Sequence, residues 1–176
     1  MTGRNEFTVG PWETEEKACA AFDAAASGDT RFSRLYREVE GRPLTRSPFD
    51  HDHGLRIDRI LMPSKALQDA GWLHGAIGVE IKASGTKLGP VVAQAIDYTR
   101  CAFEVQPGFF MPVGFVFIFP VQIPGADLGS VMTQNRVGSC VVTPLGQLVF
   151  FRGSSRIVSV EERERNFIQL RKVGSR

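Results

Sequence analysis

Cysteine is scarce in this chain. Cys19, Cys101 and Cys140 are odd in number, far apart and in no C-x-x-C spacing, so neither a disulfide framework nor a zinc or iron–sulfur site is implied, and buried thiols are expected. Long hydrophobic runs are also missing. The most apolar stretch, Gly108 to Gly125, is cut by Pro112, Pro120 and Pro124 and falls short of the ~20 continuous apolar residues of a membrane helix. Its aromatic and β-branched content suits a buried strand, and no membrane association is expected. The opening "MTGRNEFTVGPW" lacks the basic patch, apolar core and small-residue cleavage site of a secretory signal, which predicts a cytoplasmic protein. There is no G-x-x-x-x-G-K-[ST]; "GTKLG" does not supply one, and a nucleotide-hydrolase reading fails.

Charge of either sign is not in excess. The net charge is +2, with sixteen of the twenty-one basic residues Arg, which neither demands nor excludes a nucleic-acid partner. Repeats, low-complexity tracts and linkers are absent. A chain of 176 residues with 43% hydrophobic content then reads as a single domain over residues 1–176, able to bury roughly 70% of its unfolded surface.

"PWETEEKACAAFDAAASG" predicts a first helix, with Pro11 and acidic residues at its start and Gly28 at its stop. "RFSRLYREVEG" leans to a strand entering a turn at Gly41, "PLTRSPFDHDHG" is a loop, and "LRIDRILM" is a strand ending at Pro63. A short helix or turn, "SKALQDAG", precedes the strand "AIGVEIKAS". A helix then enters at Gly89 and Pro90 and runs to about Phe103. "GFVFIFPV" is the next strand, followed by a helix around Leu128 to Arg136, two strands in "CVVTPLGQLVFFRG", then "RIVSV" and a charged end. Phe109, Phe110, Phe115, Phe117 and Phe119 recur at period 2 in an apolar run, which favours core over a base-stacking platform. The expected fold is α/β, a mixed central sheet with helices packed against it.

Within "GVEIKAS", Ile77, Val79 and Ile81 point to one face of a strand while Glu80 and Lys82 share the other. Asp58 lies in the preceding strand, and consecutive strands are usually neighbours. Two carboxylates and a lysine can therefore meet at one point of a sheet. Such a pair suits Mg²⁺, which takes one or two carboxylates and keeps several waters. A lysine beside it can orient or deprotonate a water, or offset charge on a phosphorane-like transition state. Gln94 and Tyr98, four residues apart, lie on one face of the next helix.

The run "GLRIDRIL", then "GVEIKAS", then a helix bearing "QAIDY" resembles the PD-(D/E)xK nuclease superfamily. The resemblance spans about residues 13–120, leaving 121–176 as a C-terminal extension, and implies a restriction-endonuclease-like fold. It makes Asp58 and Glu80 ligands of Mg²⁺, with Mn²⁺ as the expected substitute, and the backbone carbonyl of Ile81 a further ligand. Lys82 becomes the residue that positions the attacking water, and Gln94 and Tyr98 auxiliary catalytic residues. Many members carry an upstream acid, for which Glu16 and Glu38 are both candidates. The implied function is hydrolysis of DNA phosphodiesters, and because cutting two strands commonly calls for two sites, a homodimer is a candidate assembly. The long spacer between Asp58 and Glu80 implies an inserted turn at residues 63–75, with Trp72 and His74 near the site.

Two other readings remain open. A non-catalytic nucleic-acid-binding or assembly protein could use the same fold. The "DHDH" run, Asp50 to His53, resembles the core of an HNH-type metal endonuclease, but no downstream Asn or His at useful spacing supports it. The charged end "EERERNFIQLRKVGSR" reads as a solvated helix face, with Arg171, Lys172 and Arg176 able to touch a phosphate backbone or a partner subunit.

Overall fold

Thr14 opens the first helix, its hydroxyl accepting the Lys17 N–H, and the helix α1 (Glu15–Ser27) ends at Gly28. This geometry comes from a computed structural model that describes residues 11–45 and 55–158. The Asp50–His53 cluster and the basic residues Arg171, Lys172 and Arg176 lie outside the described residues. After α1 come β1 (Phe32–Pro43), β2 (Leu55–Pro63), α2 (Lys65–Asp69), β3 (Ala76–Ile81) and α3 (Leu88–Tyr98). The second half supplies β4 (Cys101–Gln106), β5 (Phe109–Phe119), α4 (Ala126–Gln134), β6 (Val137–Val142), β7 (Leu148–Arg152) and β8 (Ser155–Ile157). Among the described residues, no helix is long and apolar enough to cross a membrane.

The strands form one mixed eight-stranded sheet in the order β3-β2-β1-β4-β5-β6-β7-β8, with β3 also paired to β5. β1, β2 and β3 are an antiparallel meander, while β3, β5 and β6 run parallel. β5 changes neighbours along its length: Phe109 to Pro112 pair with β4, and Val113 to Phe119 pair with β3. Strands β6 to β8 continue this same sheet and do not form a separate layer.

Two apolar clusters, one on each side, hold the helices. Ala18 and Phe22 of α1 pack with Ile77, Val79, Ile81, Phe115, Phe117 and Phe119. Val91, Val92, Ala95 and Tyr98 of α3 pack with Ile57, Ile60, Ala76, Val116 and Ile118. The odd residues of β3 thus face α1 and its even ones face α3. At the even position Gly78, a Cβ would lie 2.6 Å from Ile57 Cδ1, so the glycine lets β2 side chains close over the sheet on that face.

Several expectations need correction. The helix expected to reach Phe103 stops at Tyr98, where the Thr99 hydroxyl and N–H both bond back to the Ile96 carbonyl. Cys101 then starts β4, a strand that no glycine or proline announces. Gly41 is no turn: β1 runs on to Pro43, and a Cβ at Gly41 would sit 2.6 Å from the Phe103 ring, so the residue permits close approach of β4. Phe115, Phe117 and Phe119 are core, but Phe109 is 57% exposed and Phe110 lies beneath the Arg42 guanidinium, 3.7 Å from ring centroid. Both belong to the far end of the β4–β5 hairpin, and neither joins the two apolar clusters that hold the helices.

Candidate active site

β2 and β3 pair as Leu61–Ile77, Ile60–Gly78 and Arg59–Val79. One further step of this register sets Asp58 opposite Glu80, and residues directly opposite in an antiparallel pair project to the same face. The ladder ends there, and the Asp58 carboxylate takes over from it: Oδ2 accepts the Ile81 N–H at 2.6 Å. β1 is irregular at the same level. Glu38, which faces Asp58 in the β1–β2 register, has φ +50°, and Ile57 and Ile60 both join the α3-side cluster, which strict alternation forbids. The buried Arg59 fastens this bend. It bonds the Asp58 carbonyl at 2.6 Å and pairs with Asp23 of α1 at 2.7 Å.

Glu80 is 1% exposed. Its Oε1 lies 2.7 Å from Lys82 Nζ, while its Oε2 is buried without a hydrogen-bond partner among the described residues. Burial, then the charge of Asp58, pushes the Glu80 carboxyl up to about 7, and the Lys82 bond only partly opposes this. Asp58 is also raised, by burial first, against the Ile81 N–H and the Lys82 charge. For Lys82, burial disfavours the cation, but the Glu80 bond and the charges of Asp58 and Glu15 more than offset it, so its pKa is raised. Lys82 is therefore a cation at neutral pH.

The residue from α1 that meets Lys82 is Glu15, with Oε2 3.7 Å from Nζ. Glu16 is exposed on the helix and Glu38 pairs with Arg56 at 3.1 Å, so neither upstream acid named from the sequence touches the lysine. Glu38 does act at a distance, its charge helping to raise Asp58. A signal for Glu15 was present: Glu15, Cys19, Phe22 and Ala26 follow i, i+4, i+7 and i+11 and share the helix's inward stripe. No family model, no curated protein and no solved structure matches the chain.

Gln94 and Tyr98 reach the site from the other side. Gln94 Nε2 donates to the Tyr98 hydroxyl at 2.6 Å, and that hydroxyl donates to the Arg56 carbonyl at 2.6 Å. Burial first, and then the charge on Glu80, raise the Tyr98 pKa. The pair therefore braces β2 two residues from Asp58. Tyr98→Phe removes the bond to the Arg56 carbonyl and should cost about 0.5–1.5 kcal/mol of stability, read by thermal denaturation. Gln94→Ala keeps the Tyr98–Arg56 bond and should cost less; the reverse order would make Gln94 the brace.

Trp72 and His74 are not near the site. They pack with Phe115 at ring-centroid distances of 5.7 and 5.0 Å, at the start of β3, while Glu80 and Lys82 are at its end, roughly 17 Å of strand away at 3.3 Å per residue. The inserted segment folds as α2 and returns under the sheet, with Leu67 and Trp72 in the α1-side core.

Among the described residues, no group of three or more His, Cys, Asp and Glu is gathered for a metal ion. The donor set here is smaller: two carboxylates, of which the charge of Asp58 raises the pKa of Glu80, and Glu80 keeps a buried oxygen without a partner among the described residues, beside the Ile81 backbone. That set fits a hard divalent cation that takes few protein ligands.

Proposed function

We propose that the chain is a metal-dependent nuclease of restriction-endonuclease-like fold that hydrolyses DNA phosphodiesters. The observation that carries this reading is the meeting of Asp58, Glu80 and Lys82 where the β2–β3 ladder ends, with the buried Oε2 of Glu80 without a partner among the described residues. The placement supports the resemblance: an acid on the second strand, Glu-x-Lys on the third, and a following helix that bears Gln94 and Tyr98.

Asp58, Glu80 and the Ile81 carbonyl would hold Mg²⁺ or Mn²⁺. When bound, such an ion acidifies a coordinated water and offsets charge on the reacting phosphate. The protein's own contributions follow from the geometry. Lys82, charged and anchored to Glu80, orients the attacking water and balances negative charge as it builds on the phosphoryl oxygens. Its raised pKa makes it a poor proton acceptor, so it acts as an orienting cation rather than as the base. Glu15 holds Lys82 from the α1 side. Arg59 and the Tyr98 hydroxyl hold the backbone on either side of Asp58, so its carboxylate stays aimed at the end of β3.

Linear, circular, branched and single-stranded DNA, with RNA alongside, should be incubated with the purified protein in Mg²⁺, Mn²⁺ or EDTA. Cleavage of at least one DNA form in either metal, absent in EDTA and in Asp58→Asn, is the expected result. The rival is a binding protein on the same fold, favoured by the fact that Lys82 and the Ile81 N–H already engage one oxygen of each carboxylate. Calorimetry separates the two: DNA binding with no Mg²⁺ or Mn²⁺ heat and no cleavage would replace the nuclease by the rival.

A further inference from the structure

The Glu80 carboxylate is shut in. Lys82 Nζ holds its Oε1 at 2.7 Å, and its Oε2 is buried. A divalent cation has to touch an oxygen of each protein ligand, so it reaches Glu80 only where a neighbour gives way. Two polar neighbours are tied down. Asp58 accepts the Ile81 N–H at 2.6 Å, and the Tyr98 hydroxyl is bonded to Gln94 and to the Arg56 carbonyl, each at 2.6 Å. Lys82 differs from both, because a second anion stands beside it: Glu15 Oε2 lies 3.7 Å from Nζ, outside hydrogen-bond reach but within that of an ion pair.

The three groups form a row from core to solvent. Glu80 is 1% exposed, Lys82 20% and Glu15 51%, so the ammonium stands between a closed carboxylate and an open one. Glu15 is built into its place. Three residues before it, the Trp12 N–H donates to the Ser84 hydroxyl at 2.7 Å and the Trp12 carbonyl accepts the Ser84 N–H at 2.8 Å, which ties the approach to α1 to the segment two residues past Lys82. The lysine stem is flexible by comparison. A movement of about 1 Å makes the Glu15 contact as short as the Glu80 contact now is. A divalent cation on Glu80 favours that movement, because its charge repels the ammonium and competes for the same carboxylate, while Glu15 keeps Lys82 paired.

We propose that Lys82 exchanges its nearer partner: bonded to Glu80 it closes the metal site, and as a divalent cation arrives it leans to Glu15, which opens Glu80 and keeps the ammonium at the site. Glu15 is then a positioning residue that acts through Lys82 and not a metal ligand. This regulation rests on the nuclease reading above, in which Asp58 and Glu80 hold the metal.

A water-soluble carbodiimide joins an amine to a carboxylate in contact without a spacer, so it reports which acid Lys82 touches. The full chain should be treated with it at pH 7 in EDTA and in rising Mg²⁺, and the products mapped by mass spectrometry. The expected result is a Lys82–Glu15 product that rises severalfold along the Mg²⁺ binding curve measured by calorimetry. The exposed Lys65–Asp69 pair of α2, at 2.8 Å, is the internal control and should stay level. Glu15→Gln, a change on the solvent side, should weaken Mg²⁺ binding about tenfold, within the range of coupling inside one ion-pair network. A Lys82–Glu15 product that stays level while Mg²⁺ binds means that Lys82 remains on Glu80, and one that falls means that Glu15 is itself a ligand. Either result, or an unchanged affinity in Glu15→Gln, overturns the proposal and leaves the nuclease reading standing. No Mg²⁺ or Mn²⁺ heat in either protein removes the metal site and the exchange together.

Discussion

Lys82→Ala should lower DNA cleavage by about 10²–10⁴-fold, the range for loss of one positioned catalytic group, while the protein still folds. The structure adds a reason beyond charge at the reacting phosphate. Lys82 is the cation 2.7 Å from the buried Glu80 carboxylate, and its bond and charge both lower the Glu80 pKa. Without them that pKa rises above about 7, and Glu80 takes up a proton at neutral pH. Protonation is also why folding should survive: a neutral buried carboxyl costs far less than an unpaired charge. The two roles separate in a pH profile. If Lys82 serves only to keep Glu80 ionised, activity of Lys82→Ala should recover towards pH 9. Activity that stays low at every pH, with Mg²⁺ binding restored at high pH, assigns Lys82 to the transition state. Wild-type rates in the alanine variant at pH 7 would remove it from the mechanism.

The second large effect is a pH dependence of stability opposite in sign to that of ordinary salt-bridged carboxylates. Glu80 is raised from 4.5 to about 7 in the folded protein, so between these values the folded chain holds a proton that the unfolded chain has released. Its contribution is complete below pH 4.5 and is lost as pH rises through 7, amounting to on the order of 3 kcal/mol. Asp23, held below the usual range by Arg59 and Arg37 although burial pushes the other way, works in the opposite sense. The measurement is therefore the difference between wild type and Glu80→Gln, by denaturant unfolding in EDTA from pH 4 to 8. The wild type should lose stability relative to the variant across that span. Added Mg²⁺ should restore wild-type stability above pH 7, by about 2.7 kcal/mol at a hundred times its dissociation constant, and leave Glu80→Gln unmoved. Parallel curves for the two proteins would mean that Glu80 is solvated and ionised in the folded state.

Much of the fold was legible because its signals are local. α1 has its N-cap, acidic first turn and glycine stop within one short stretch, and β3 shows its period-2 pattern in six residues. β4 was not legible. "CAFEVQ" follows a helix without a break residue, and one of its two pairing partners, residues 41–43, is distant in the chain, while the other, residues 109–112, begins β5 ahead of the apolar run that announces that strand. Gly41 misled for a related reason: a glycine that admits a neighbouring strand carries the same letter as one that makes a turn.

The candidate site divides in the same way. By itself the sequence determined that Glu80 and Lys82 share a face of one strand, and that Gln94 and Tyr98 share a face of one helix, because both follow from the repeat of a single element. Tertiary structure decided the rest. The β2–β3 register sets Asp58 one step beyond Arg59–Val79, docking of α1 brings Glu15 rather than Glu16 to Lys82, and the return of α2 under the sheet carries Trp72 and His74 away. It also bonded Trp12 to Ser84, 72 positions apart in the chain, two residues past Lys82. Register and docking depend on contacts between residues far apart in sequence, and a shift of one residue in a strand exchanges its faces, so no local pattern could specify which groups meet.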